Sequence, residues 1–164
     1  SAANMNSPEQ TVISGSAAAV RRAVEIASQE GAKRAVILPV SAPFHCALMA
    51  PAQKRLEEDL RATKFHALRF PLYTNVDADA TTDGDEAREA LIRQVCLPVR
   101  WLDSVHEMID SGVHMFVEVG PGKVLGGLMR QIDRAVRVVG VEDAASLQAA
   151  LDKIQQSRAE TAEA

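Results

Sequence analysis

Met115-Phe116-Val117-Glu118-Val119 is a buried-type strand that runs directly into Gly120-Pro121-Gly122-Lys123, and a helical period from Val124 to about Ile132 follows. A further strand, Val136 to Val141, and a further helix, Ser146 to Ile154, continue the series, and a Glu- and Ala-rich end predicted to fray closes it. Strands that alternate with helices in this way point to a mostly parallel sheet with helices packed on it.

The same alternation runs through the earlier chain. Asn4-Met5-Asn6-Ser7-Pro8 reads as a polar turn, and Thr11-Val12-Ile13 as a short strand closed by Ser14-Gly15. Ser16 caps a helix with Val20, Ala23, Val24 and Ala27 on one face, ended by Gly31, and Ala35 to Leu38 gives the next strand, so that residues 11–38 read as a minimal βαβ-like unit. Pro51 suits the first turn of a helix carrying Leu56 and Leu60, and Phe70-Pro71-Leu72-Tyr73 is a strand ending at Asn75. Asp77 to Asp85 has no hydrophobic period and is predicted to be a surface loop. A helix starting at Asp85 or Glu86 carries Ala90, Leu91 and Val95 and stops at Pro98; Trp101, Leu102, Val105, Met108 and Ile109 mark another, capped by Gly112. The expectation is an α/β fold whose mostly parallel sheet is covered on both faces.

Composition narrows the class of function. A net charge of -4 without a basic patch argues against nucleic acid as a partner. No apolar run approaches the roughly 20 residues that span a bilayer, and no signal-peptide pattern opens the chain, so no membrane partner is expected and the location expected is cytoplasmic. Cys46 and Cys96 lack both a CxxC and a Cys/His ligand spacing, so neither a disulfide framework nor a zinc site is expected.

The chemistry concentrates at Leu38-Pro39-Val40-Ser41-Ala42-Pro43-Phe44-His45-Cys46-Ala47-Leu48-Met49. Proline locks its own φ and pushes the preceding residue out of the helical region, so His45 is expected on a stiff, extended turn. An imidazole titrates near neutral pH, and rigid placement suits it to meet a nucleophile as general base. The competing reading is a surface or capping histidine. Gly120 to Lys123 also has two readings. A glycine-rich strand-to-helix turn can cradle phosphate, but Val117 stands where the P-loop pattern has its first Gly, and Val124 where it has Ser or Thr. A tight turn that lets the next helix pack closely is the favoured explanation.

Five collinear stretches then add up. Asn4-Met5-Asn6-Ser7-Pro8-Glu9-Gln10-Thr11-Val12-Ile13-Ser14-Gly15, Pro39 to Met49, Tyr73-Thr74-Asn75-Val76, Leu91-Ile92-Arg93-Gln94-Val95-Cys96-Leu97-Pro98-Val99-Arg100-Trp101, and Glu118-Val119-Gly120-Pro121-Gly122-Lys123-Val124-Leu125 resemble, in order and spacing, the C-terminal half of malonyl-CoA:acyl carrier protein transacylases. The resemblance runs from Asn4 to about Leu151.

It implies transfer of malonyl from malonyl-CoA to the phosphopantetheine thiol of acyl carrier protein through a malonyl-serine intermediate, with fatty-acid biosynthesis the expected pathway. The CoA thioester is a substrate, and no cofactor or metal is implied. His45 matches the family's catalytic histidine, and Gln94 the glutamine whose backbone carbonyl orients that imidazole. Asn6 matches an asparagine near the active-site entrance. Phe44 implies malonyl selectivity, because related polyketide acyltransferases place Phe before this histidine for malonyl and Ser for methylmalonyl. The implied architecture is the C-terminal part of a mostly parallel three-layer sheet domain, residues 39–164, plus half of a small ferredoxin-like subdomain, residues 1–38.

The family's G-H-S-x-G nucleophile elbow does not occur in the sequence. Ser41 is too near His45 along an extended turn, Ser14 and Ser104 have no elbow around them, and neighbours such as His45 and Cys46 point apart on an extended chain. The expectation is therefore a piece of a longer enzyme, inactive alone, whose N-terminal half carries the serine. Two alternatives stand beside it: a non-catalytic module that docks an acidic carrier protein through Lys33, Arg34, Lys54 or Arg55, and a phosphate-binding module using Gly120 to Lys123.

Overall fold

A computed structural model describes residues 1–162. They form a mixed α/β chain whose contacts divide it into two compact units, residues 1–107 and 108–164, with the division falling inside a helix.

The first unit begins with a hairpin. Strand β1 (Ala2–Ser7) pairs antiparallel with β2 (Gln10–Ile13), Met5 facing Thr11 and Ser7 facing Gln10. The polar turn expected over Asn4 to Pro8 is therefore a strand, and only Pro8 and Glu9 make the turn. Backbone pairing decides it: Ala3 and Ser7 are buried although the segment has no apolar alternation. Helix α1 (Ala17–Gln29) follows as expected, with the Ser16 hydroxyl accepting from the Ala19 N–H and Gly31 in the left-handed region at φ 89°.

The strand expected at Ala35 to Leu38 does not form. Val36, Ile37 and Leu38 are 54%, 57% and 47% exposed, and no described strand pairs with them. Extended apolar residues become a strand only when a neighbour takes up their N–H and C=O groups.

A single 3-10 turn, Ala47–Met49, leads into α2 (Ala50–Ala62), which has Pro51 in its first turn. β3 (Leu72–Tyr73) pairs antiparallel with β4 (Ala80–Thr81), so the segment expected as a loop contains a strand. Asp83 then caps α3 (Gly84–Arg93), its carboxylate accepting from the N–H groups of Asp85 and Glu86. α3 packs on α2 and buries Ala87, Ala90 and Ile92. Gly84 is required at the entry, because a Cβ there would lie 2.5 Å from the His66 carbonyl oxygen. Val99 returns alongside β1 in a parallel bridge to Asn4, with Met5 N–H donating to its carbonyl at 2.9 Å. α4 (Trp101–Asp110) follows, and Gly112 lies just beyond it at φ 92°.

In the second unit β5 (Met115–Val119) and β6 (Arg137–Val141) pair in parallel, joined by α5 (Val124–Ile132). This parallel pair fits the expected alternation, whereas the βαβ-like unit expected over residues 11–38 does not form and the strand pairs of the first unit are antiparallel. α6 (Ala144–Ala162) is longer than expected and packs on β6. The Asp143 carboxylate accepts from the Ser146 N–H at its start. The fraying expected of the chain end falls partly on residues 163–164, which lie outside the described residues. No described helix is long and apolar enough to cross a membrane.

Candidate active site

His45 is not extended. Its φ is 59°, in the left-handed region that non-glycine residues enter at a cost. The prolines restrain themselves and the residues before them, and His45 stands two positions after Pro43, outside that reach. The turn is closed by the buried Cys46, whose thiol donates to the Pro43 carbonyl at 3.2 Å, and by the Met49 N–H, which donates to the Cys46 carbonyl at 2.9 Å.

The half-buried imidazole finds its partners at the end of α3. Gln94 is the C-terminal cap, and its N–H completes the helix by donating to Ala90. Helix geometry leaves the last carbonyls without intrahelical donors. His45 Nδ1 lies 2.8 Å from the Gln94 carbonyl oxygen and 3.2 Å from that of Leu97. A carbonyl only accepts, so Nδ1 carries a hydrogen, and in the neutral imidazole the lone pair then falls on Nε2. Among the described residues Nε2 makes no hydrogen bond. An imidazole oriented through Nδ1 with Nε2 open has the arrangement of a general base awaiting a hydroxyl.

The other expected residues lie at different removes. Phe44, adjacent to His45, is half exposed. Asn6 lies on β1 and its side-chain amide donates to Gln10 at 3.4 Å; no hydrogen bond joins it to His45 among the described residues. Gln94 also contributes its side chain, which accepts from Asn75 Nδ2 at 3.0 Å. The Leu97 carbonyl and Asn75 are additions that sequence reasoning passed over: both lie in matched stretches, but nothing in residue type marks a backbone acceptor or a side chain that touches another side chain. Asp77 and Arg93 form a bidentate pair at 2.7 and 2.6 Å. The Arg93 guanidinium holds the Asp77 carboxyl below the usual carboxylate range against the opposite pull of burial.

No described serine hydroxyl bonds to His45. The thiol of Cys46 turns to the Pro43 carbonyl, and burial, with a smaller effect of Cys46, pushes the Cys96 thiol up, which disfavours a thiolate there. The serine–histidine contact that does exist, His114 Nε2 to Ser157 Oγ at 3.1 Å, involves a hydroxyl buried in the second unit.

The phosphate reading of Gly120 to Lys123 is overturned. Glu118 reaches back from β5 and its carboxylate accepts from the N–H groups of Leu125 at 2.9 Å and Gly126 at 2.8 Å. The helix N-terminus already holds an anion of its own. Gly120 and Gly122 take φ 136° and 94°, and a Cβ at Gly126 would lie 3.0 Å from Glu118 and 3.2 Å from Val138. The glycines serve a tight turn and a close helix.

Residues 1–161 match the family model described as acyl transferase domain. The chain belongs to that family. A malonyl CoA-acyl carrier protein transacylase of Haemophilus influenzae is 46% identical to this acyl transferase domain over 149 residues, 91% of this chain and 48% of the relative. Its counterpart in Bacillus subtilis is 42% identical over 154 residues, 94% of this chain and 49% of the relative. Among solved structures, an acyl carrier protein S-malonyltransferase from Vibrio cholerae superposes with a TM-score of 0.88 at 47% identity, covering 92% of this chain and 49% of that one. A malonyl-transacylase in complex with its type II PKS acyl-carrier protein superposes with a TM-score of 0.90 at 42% identity, covering 93% and 50%. The acyl transferase domain thus spans about half the length of the relatives it matches.

Proposed function

We propose that this chain is the C-terminal half of a malonyl-CoA:acyl carrier protein transacylase, and that His45 is its general base and acid. The observation that carries the proposal is the His45 imidazole held at Nδ1 by the Gln94 carbonyl, 2.8 Å away, with Nε2 open. The names of the relatives support malonyl-CoA and acyl carrier protein as the substrates, and fatty-acid synthesis is the pathway assigned to the chain in this reading.

In this reading a serine from the N-terminal half, which the resemblance puts in a G-H-S-x-G elbow, attacks the thioester carbonyl. His45 Nε2 takes the hydroxyl proton as the O–C bond forms, then returns it to sulfur as the C–S bond breaks and CoA leaves as its thiol. The phosphopantetheine thiol attacks the malonyl-serine ester next, with His45 repeating both transfers in reverse order. The Gln94 carbonyl stabilises the imidazolium formed in each half-reaction. The CoA thioester is itself the substrate and the steps call for no resident cofactor. Phe44 narrows the pocket at the malonyl α-carbon, and Asn6 lies toward the entrance.

The proposal extends to architecture and place: residues 39–164 complete a three-layer, mostly parallel domain, residues 1–38 complete a small ferredoxin-like subdomain, and the enzyme works in the cytoplasm. The unpaired apolar segment Val36 to Leu38 supports this, since a strand of the other half would satisfy it.

The test is malonyl transfer to acyl carrier protein by the full-length protein. His45→Ala is expected to lower the rate about 10²–10⁴-fold. The 164-residue chain alone is expected to acquire no malonyl adduct on intact-mass analysis. A His45→Ala protein at the parent rate, or an adduct on the isolated chain, would refute the reading.

A further inference from the structure

The turn over residues 74–79 is built more firmly than a surface connection needs. Thr74 N–H donates to the Asp79 carbonyl and Ala78 N–H to the Thr74 carbonyl, each at 3.0 Å. The Thr74 hydroxyl donates to the Asp77 carboxylate at 3.2 Å and accepts from the Asp77 N–H at 3.3 Å. Val76 and Ala78 are buried, and Ala78 takes the left-handed conformation at φ 57°.

This turn grips the chain that follows α3 on both sides of the His45 acceptors. On the near side Asp77 holds Arg93 bidentately, and Asn75 holds the Gln94 side chain. On the far side Arg100 N–H donates to the Asn75 carbonyl at 2.8 Å, and the Arg100 guanidinium to the Asp77 carbonyl at 2.9 Å. The carbonyls of Gln94 and Leu97, which receive Nδ1 of His45, lie between these anchors.

The geometry points to the 74–79 turn as the positioning element of the catalytic histidine, with Asp77 its principal anchor. The inference rests on the reading of His45 as general base. Asp77 touches neither substrate nor imidazole; it fixes the backbone on which the imidazole is aimed. Bidentate guanidinium–carboxylate pairs fix direction as well as distance, and small displacements of a base are costly in rate.

The test uses the full-length protein and four variants. Asp77→Ala is expected to lower kcat about tenfold while KM for malonyl-CoA changes less than about twofold. In ¹⁵N-histidine spectra the Nδ1–H of His45, assigned with His45→Gln, is expected to give a protected signal in the unmutated protein and to broaden or vanish in Asp77→Ala. The charge swap Asp77→Arg with Arg93→Asp is expected to recover part of both. Asp85→Asn weakens another ion pair of α3, Arg88–Asp85 at 2.9 Å, away from Arg93 and the turn, and is expected to leave kcat and the signal unchanged. Asp77→Ala with wild-type kcat and a wild-type signal would overturn the inference, as would an equal loss in Asp85→Asn. If the unmutated protein transfers no malonyl, the functional reading fails, and the Nδ1–H signal still decides whether the turn aims His45.

Discussion

His45 shows how much one backbone angle settles. At φ 59° its ring reaches the end of α3, where the Gln94 and Leu97 carbonyls fix the tautomer. Residue type predicted a base; only the acceptors say which nitrogen is free. Asp77 is the complementary case, a residue of no apparent chemistry in sequence whose pairing with Arg93 lowers its pKa. A carboxyl depressed below its unfolded value of about 3.9 stabilises the fold above that value and loses the contribution as pH falls through the folded value. Both partners are substantially exposed, so the discounted contribution is about 1 kcal/mol or less. The urea midpoint of Asp77→Asn should therefore lie below wild type near neutral pH and converge on it as pH falls through the depressed folded value of Asp77. An undiminished gap in acid would show that the carboxylate charge is not what stabilises.

At the scale of elements, the β5–α5–β6 unit was the most legible part of the sequence. Met115 to Val119, the glycine turn and the helical period from Val124 each became the expected element, because a continuous apolar strand and a helix of matching face have few ways to pack. What the periodicity did not carry is the Glu118 carboxylate at the start of α5, a contact seven and eight residues away that depends on the crossover being made. Glu118→Ala leaves those two N–H groups without their acceptor and should cost about 1–2 kcal/mol by denaturant unfolding, with Glu118→Gln costing less. An unchanged midpoint in Glu118→Ala would mean that water replaces the cap at no cost. β2 and β3 fall on stretches expected as strands, but their partners β1 and β4 were missed for the opposite reason: those sequences are polar or short, and their pairing is decided by neighbours, not by alternation.

At the scale of the molecule, the exposed Val36, Ile37 and Leu38 support the proposal that this chain is part of a longer one. In the isolated chain the amides of residues 35–39 should exchange with solvent rapidly, and in the full-length protein they should be protected by a paired strand. Equal exchange in both would leave this segment without a partner and remove one support for the reading as half an enzyme. The sequence by itself determined the mixed α/β class, the approximate places of the helices with the Ser16 cap, the alternation of β5, α5 and β6 and the resemblance that singles out His45 and Gln94, because these follow from local period, local capping chemistry and motif order. Tertiary structure alone decided the left-handed turn at His45, the acceptors of its Nδ1, the anchoring of those acceptors by Asp77 and Asn75, and the failure of Ala35 to Leu38 to become a strand. Each of these depends on groups far apart in sequence whose hydrogen bonds exist only once the chain has closed on itself.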